Sequence, residues 1–203
     1  MRKLKNSELD RLSVQEFKKA DKLPVVVVLD NIRSLNNIGS VFRTSDAFLV
    51  ERIYLCGITA TPPQKEIHKT ALGATESVDW VHLESTEKLI RELKSEGRKI
   101  LSVEQADKSI SLSEFQPVAG DRYVVVFGNE VKGVQQRVID LSDACLEIPQ
   151  YGTKHLPNAL RRRRSLAPGG VLGYGAGVGG KAILIDSGGR ISGLNAIWAF
   201  SPQ

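Results

Sequence analysis

Two stretches of the chain, and the start of a third, combine residue types that could do chemistry. The first is Asn37-x-Gly39-x-x-x-Arg43, which follows an apolar run ending at Asp30. Asn37 and Gly39 fit a loop closing into a helix, with Arg43 one turn inside that helix and on the same side as Gly39. A guanidinium is always charged, so one held there can reach a phosphate or a developing oxyanion. The plainer alternative is an ordinary strand–loop–helix connection with a solvated arginine. The second stretch is Phe127-Gly128-Asn129-Glu130-Val131-Lys132-Gly133. Its two glycines let backbone approach a ligand closely, and Glu130 adds an acceptor at the same edge. The same residues also suit a glycine-rich turn capped by Asn129. The third begins at Ile148-Pro149-Gln150-Tyr151-Gly152. No CxxC is present and His68, His82 and His155 lack ligand spacing, so no metal site is expected.

Strands must hold these stretches. Val25 to Asp30 is a β-branched run, apolar at consecutive positions, which suits a strand buried on both faces. Similar runs recur at Arg52 to Cys56, Trp80 to Leu83, Ile100 to Val103, Tyr123 to Phe127 and Cys145 to Ile148. Helical patterns lie between several of them. Ser85 to Glu96 carries Leu89, Ile90 and Leu93 on one side and stops at Gly97, and Val134 to Leu141 reads similarly. The alternation predicts an α/β fold with a mostly parallel sheet and helices on both faces, and in such sheets ligands gather beyond the carboxyl ends of the strands. Trp80 and Tyr123 fall at strand positions and are expected in the core or a subunit interface. Ser13 with Glu16 three residues later forms a capping-box pattern, so residues 1–22 read as a helical extension.

Composition sets the bounds. The 203 residues, 41% apolar and 25% charged, can bury a real core. No apolar run approaches the roughly 20 residues of a membrane span, and Met1-Arg-Lys-Leu-Lys-Asn does not read as a signal peptide. Cys56 and Cys145, far apart, suggest reduced thiols in a cytoplasmic protein. The net charge of +5 has a local origin: from Leu156 onward six basic residues meet a single acid, Asp186, leaving residues 1–155 neutral. A case for binding a polyanion must therefore rest on where individual cations sit.

Taken in order, the three stretches, together with Thr70-Ala-Leu-Gly73-Ala74-x-Glu76, resemble the motifs of SpoU-type RNA ribose methyltransferases of the SPOUT superfamily. The resemblance covers roughly residues 1–155. It implies a SPOUT domain over residues 23–155 whose C-terminal part is tied into a trefoil knot, an exception to the rule of unthreaded chains. It further implies S-adenosyl-L-methionine as cofactor, an RNA substrate (tRNA or rRNA), a homodimer, and no membrane or metal. By position, Arg43 faces the ribose 2′-hydroxyl, and Asn37 and Glu130 shape the same site. Val103, Glu104, Gly128, Asn129, Gly133 and Ile148 line the cofactor, while Arg33, Arg43 and Lys132 meet RNA.

The resemblance breaks after His155. Where the family continues into a serine-containing motif and an apolar helix, this chain has Leu156-Pro-Asn-Ala-Leu-Arg-Arg-Arg-Arg164 and then a stretch holding ten of its 18 glycines. Regrouping degenerate codons one nucleotide into Leu156 yields triplets able to encode Ser-Leu-x-x-Ser followed by Val or Ala, which shadows the missing motif. Residues 156–203 are therefore read as an out-of-frame, poorly structured tail that leaves the knot incomplete. On that reading Arg161 to Arg164 and the Gly175-x-Gly177-x-x-Gly180 fingerprint are accidents of composition. Methyl transfer to RNA is the leading functional expectation. An inactive SpoU-like RNA-binding protein and a generic nucleotide-binding α/β protein are the rivals.

Overall fold

Valine at four consecutive positions, 25–28, puts branched side chains on both faces of one strand, and all four are buried. Such a strand is stable only inside a sheet covered on both sides. A computed structural model of the chain, which describes residues 1–5, 8–9 and 11–148, has it inside the sheet, third of seven strands. There β1 (Leu23–Asp30) pairs in parallel with β2 (Val50–Cys56) on one side and β6 (Tyr123–Phe127) on the other. Beyond β2 lies β3 (Trp80–Leu83). Beyond β6 come β4 (Lys99–Val103), β7 (Ala144–Glu147) and the two-residue β5 (Ile110–Ser111). The order is β3-β2-β1-β6-β4-β7-β5, with every pairing parallel.

Successive side chains point to opposite faces, so one strand feeds two cores. Val25, Val27 and Leu29 share a core with Ile38 and Phe42 of α2 (Leu35–Ala47), Ile67 of α3 (Lys65–Ala71) and Ala74 of α4 (Ala74–Ser77). Val26 and Val28 join Leu89, Ile90 and Leu93 of α5 (Thr86–Ser95) and Val138 of α6 (Gln136–Ile139). Helices thus cover both faces, as the alternating pattern predicts. Phe17 of α1 (Val14–Lys19) is buried in the first core, and both halves of the Ser13/Glu16 capping box are formed. The edge-on contact of Trp80 with Phe42, 6.5 Å between ring centres, and that of Tyr123 with Phe115, 6.1 Å, put both aromatics in the packing role expected of them.

All six expected strands are present, with ends within two residues of the sequence reading. The helix expected over residues 134–141 shrinks to Gln136–Ile139, because the backbone at 134 and 135 is held by side chains from other strands. Helices α3 and α4 and strand β5 are additions: α3 buries only Ile67 and Ala71, too sparse a stripe to stand out in sequence. The knot and the tail expected beyond Ile148 lie outside the described residues. Among the described residues no helix is long and apolar enough to cross a membrane.

Helix α2 begins earlier than its sequence suggests. Ser34 is the N-cap, its Oγ accepting the Asn37 N–H at 3.3 Å. Asn37 and Gly39 are therefore helical rather than loop residues, and Arg43 lies more than two turns inside, not one. Gly39 lets α2 approach α3 closely: a Cβ there would stand 2.0 Å from Thr70 Oγ1 and 2.4 Å from the Ile67 carbonyl oxygen. The Thr70 hydroxyl spans the same contact to reach the Asn36 carbonyl at 3.1 Å. Gly39→Ala should therefore force the helices apart and destabilise the protein by about 2 kcal/mol. The expected result is a lower urea midpoint with an unchanged m-value, and an unaltered midpoint would contradict the packing role.

Candidate active site

Parallel pairing brings distant parts of the sequence to one edge. Leu29 of β1 and Val103 of β4 both pair with Phe127 of β6, and Val103 also pairs with Leu146 of β7. The carboxyl ends of four adjacent strands are consequently level. The turns that follow them, at 31–34, 128–133, 104 and 148, lie side by side. Three of these ends were expected to line a cofactor and the fourth to present the reacting arginine.

Glu130 ties two of the turns together. One carboxylate oxygen accepts the Ser34 N–H at 3.0 Å and the Asn37 side-chain amide at 3.1 Å, and the other accepts the Arg33 N–H at 3.1 Å. These donors sit at the entry and first turn of α2, where backbone N–H groups lack helical partners and a negative charge is favoured. Partial burial pushes the Glu130 carboxyl upward. Hydrogen bonds from Arg33, Ser34, its own N–H and Asn37 outweigh that and hold its pKa below the usual carboxylate value. Asn37 and Glu130, expected to share a site, are thus in direct contact.

The turn that carries Glu130 is closed on itself. Asn129 and Gly133 exchange both backbone hydrogen bonds, at 3.0 and 2.9 Å, and Asn129 Oδ1 accepts the N–H groups of Val131 and Lys132, each at 3.0 Å. Its side-chain amide crosses to the Asn31 carbonyl at 2.7 Å. A Cβ on Gly128 would lie 2.1 Å from the Val134 nitrogen and 2.2 Å from the Gly133 carbonyl carbon. Gly128 therefore makes room for its own turn, and Asn129 is the turn's cap, as the plainer reading of these residues had it.

On the far side of β6, Val103 is buried and ends β4, while the Glu104 carboxylate accepts the Val134 N–H at 2.8 Å and the Gln105 N–H at 3.0 Å. Ile148 is half-buried just past β7 and packs on the first core. Arg33 and Lys132 are exposed, each in one of the linked turns. Arg43 is exposed on α2, eight residues past Leu35 and so about 12 Å along the helix axis from its start. The side chain of a helical arginine leans back toward the helix N-terminus, which shortens that separation. His82 bonds the Gly57 carbonyl oxygen at 3.0 Å. Among the described residues no group of three or more His, Cys, Asp or Glu could hold a metal ion.

Sequence reasoning missed Asp30 and Asn31. Asp30 is fully buried at the end of β1, and Asn31 adopts φ 58°. The available signal was an acid closing a strand buried on both faces, an environment in which a carboxylate must find hydrogen-bond donors.

The pKa of Glu130 carries a stability consequence. A carboxyl whose pKa is lowered by folding contributes stability above its unfolded pKa and loses it as pH falls through the lower, folded value. Stability should therefore fall on acidification below about pH 4.3, the ordinary Glu value. In Glu130→Gln that part of the acid-side slope should be absent. Urea unfolding of both proteins from pH 6 to pH 3 checks this, and identical slopes would show that the carboxylate is not held in this way.

Comparison with known proteins matches these strands and turns. The model of the SpoU rRNA Methylase family matches residues 24–158, ending where the glycine- and arginine-rich stretch begins. A Staphylococcus haemolyticus protein named as a TrmH family tRNA/rRNA methyltransferase is 29% identical over 147 residues, covering 72% of this chain and 57% of that protein. The chain thus spans little more than half the length of the curated relatives it matches. An AdoMet-bound rRNA methyltransferase from Sinorhizobium meliloti superposes with a TM-score of 0.61 at 23% identity, over 70% of this chain and 54% of that one. A structure described as giving insights into the 2-OH methylation of C/U34 on tRNA superposes with a TM-score of 0.56 at 22% identity, over 68% and 88% of the respective chains. These structural likenesses establish the fold, and the family model spans well over half of the sequence, including the seven strands of the sheet apart from Leu23. The chain belongs to the SpoU rRNA Methylase family.

Proposed function

We propose that this chain is an S-adenosylmethionine-dependent methyltransferase acting on a ribose 2′-hydroxyl of structured RNA, with tRNA favoured over rRNA. The observation that carries the reading is the contact of Glu130 with Asn37 and the backbone of Arg33 and Ser34. It joins the turn expected at the cofactor to the helix that carries Arg43. The AdoMet in the Sinorhizobium meliloti structure and the 2-OH methylation named for the tRNA-linked structure support the two halves of the reaction.

The donor set suits such a cofactor. Half-buried Ile148 offers apolar surface, the strand-end backbone, that of Val103 included, offers hydrogen bonds, and Glu104 and Glu130 bring negative charge near a sulfonium. When bound, the cofactor supplies an electrophilic methyl group. The chain's task is then to align a sugar oxygen and tolerate the charge that grows on it. A hydroxyl is a poor nucleophile at neutral pH, and Arg43 cannot serve as its base because a guanidinium stays protonated. Arg43 instead orients the oxygen and stabilises its developing negative charge, with the proton lost late to phosphate or water. Arg33 and Lys132 meet RNA phosphates from the two linked turns, an interaction that weakens with salt. The reading carries with it a homodimer in the cytoplasm.

Arg43→Ala should lower methyl transfer by about 10²–10³-fold, the scale of a lost oxyanion partner, while leaving cofactor affinity close to wild type. Isothermal titration with S-adenosylmethionine and tritium transfer to bulk tRNA measure the two separately. A fully active variant would refute the role of Arg43. No binding heat from the wild-type chain would favour instead an inactive RNA-binding protein, a reading prompted by the loss of the family's motif after His155.

A further inference from the structure

A buried carboxylate with no part in that reaction closes β1. Asp30 accepts four hydrogen bonds, all from neutral donors: Asn31 Nδ2 at 2.9 Å, Thr86 Oγ1 at 2.6 Å, the Gln135 N–H at 3.1 Å and Gln135 Nε2 at 2.7 Å. The next residue extends the reach. The Asn31 N–H donates to the Cys56 carbonyl at 3.2 Å, its side-chain oxygen accepts the Ile58 N–H at 3.2 Å, and its own carbonyl accepts from Asn129 at 2.7 Å. Two residues at the end of β1 thus hold the turn after β2, the first residue of α5 and the turn after β6.

The arrangement around β6 is symmetrical. β6 lies between β1 and β4, and the consecutive N–H groups of Val134 and Gln135 follow its turn. Val134 donates to Glu104, from the end of β4, and Gln135 donates to Asp30, from the end of β1. Each neighbouring strand contributes one carboxylate, so the turn is gripped at its exit from both sides. An acceptor-only group is required at position 30, because an amide would turn its N–H₂ toward donors.

We propose that Asp30, with Asn31, is a positioning residue: it fixes the 128–135 turn against the neighbouring strand ends and thereby sets affinity for the cofactor. The cofactor half rests on the function proposed above, whereas the anchoring half does not. Hydrogen exchange tests the anchoring on the full chain without any ligand. In Asp30→Asn the amides of Val134 and Gln135 should exchange at least about tenfold faster while those of residues 124–126 keep their protection. S-adenosylmethionine, titrated into the same protein, should bind about tenfold more weakly, the effect of one lost charge-assisted hydrogen bond. Unchanged exchange at 134 and 135 would overturn the proposal. So would uniform loss of protection across the sheet, which marks plain destabilisation, or faster local exchange with cofactor affinity intact. Should Asp30→Asn fail to fold, Thr86→Val and Gln135→Ala each remove one donor to the same carboxylate and carry the same two measurements. A wild-type chain that binds no S-adenosylmethionine would sink the cofactor reading and leave the exchange result to decide the anchoring.

Discussion

One carboxylate shared between two turns holds the candidate site together. Glu130 lies nearly a hundred residues from Arg33, Ser34 and Asn37 in sequence, yet it accepts hydrogen bonds from all three. The sheet makes this possible. In a parallel sheet every strand ends at the same edge, and the level pairing of β1, β6, β4 and β7 sets their exits beside one another. The backbone N–H groups of Arg33 and Ser34 that Glu130 meets have no helical partner because a helix starts there. Local backbone chemistry on one turn thus creates a demand that a side chain on the next turn satisfies.

The same logic repeats along the edge. Asp30, Glu104 and Glu130 each accept backbone N–H groups from a neighbouring turn, so each negative charge is bound to the frame. The exposed side chains of Arg33, Lys132 and Arg43 belong to the elements these acids join. Acids fixed in the frame and cations at the surface suit the proposed function, in which a positively charged donor lies beneath a polyanionic substrate. Removing Asp30 leaves the buried Thr86 hydroxyl without its acceptor, which costs more than the hydrogen bond itself was worth.

Much of the fold was legible because β-branched runs without alternation admit few interpretations. Val25 to Val28 could only be a strand covered on both faces, and the recurrence of such runs between helical patterns fixed the class of sheet. Glu130 and Asn37 were legible as polar groups at strand exits. What failed was local: Ser34 caps α2 from within Asn31-Ile-Arg-Ser34, where both Asn31 and Ser34 are capping types, so Asn37 and Gly39 were read as loop. Gly39 was read as loop and Gly128 as letting backbone approach a ligand; the structure sets Gly39 against Thr70 and Ile67, and Gly128 against Gly133 and Val134. A glycine announces close approach but not what approaches. Asp30 escaped notice because an acid at a strand end is commonplace, and its worth depends on Thr86 and Gln135, which pattern cannot bring near it.

The claim that Glu130 and Asn37 act as one unit is tested most directly by a double-mutant cycle on folding free energy. Asn37→Ala, Glu130→Gln and the double variant are unfolded in urea beside the wild type at pH 7. The account predicts a coupling clearly above the roughly 0.5 kcal/mol within which independent sites add. Additive effects would mean that the two turns are placed independently and that the shared carboxylate does not hold the site.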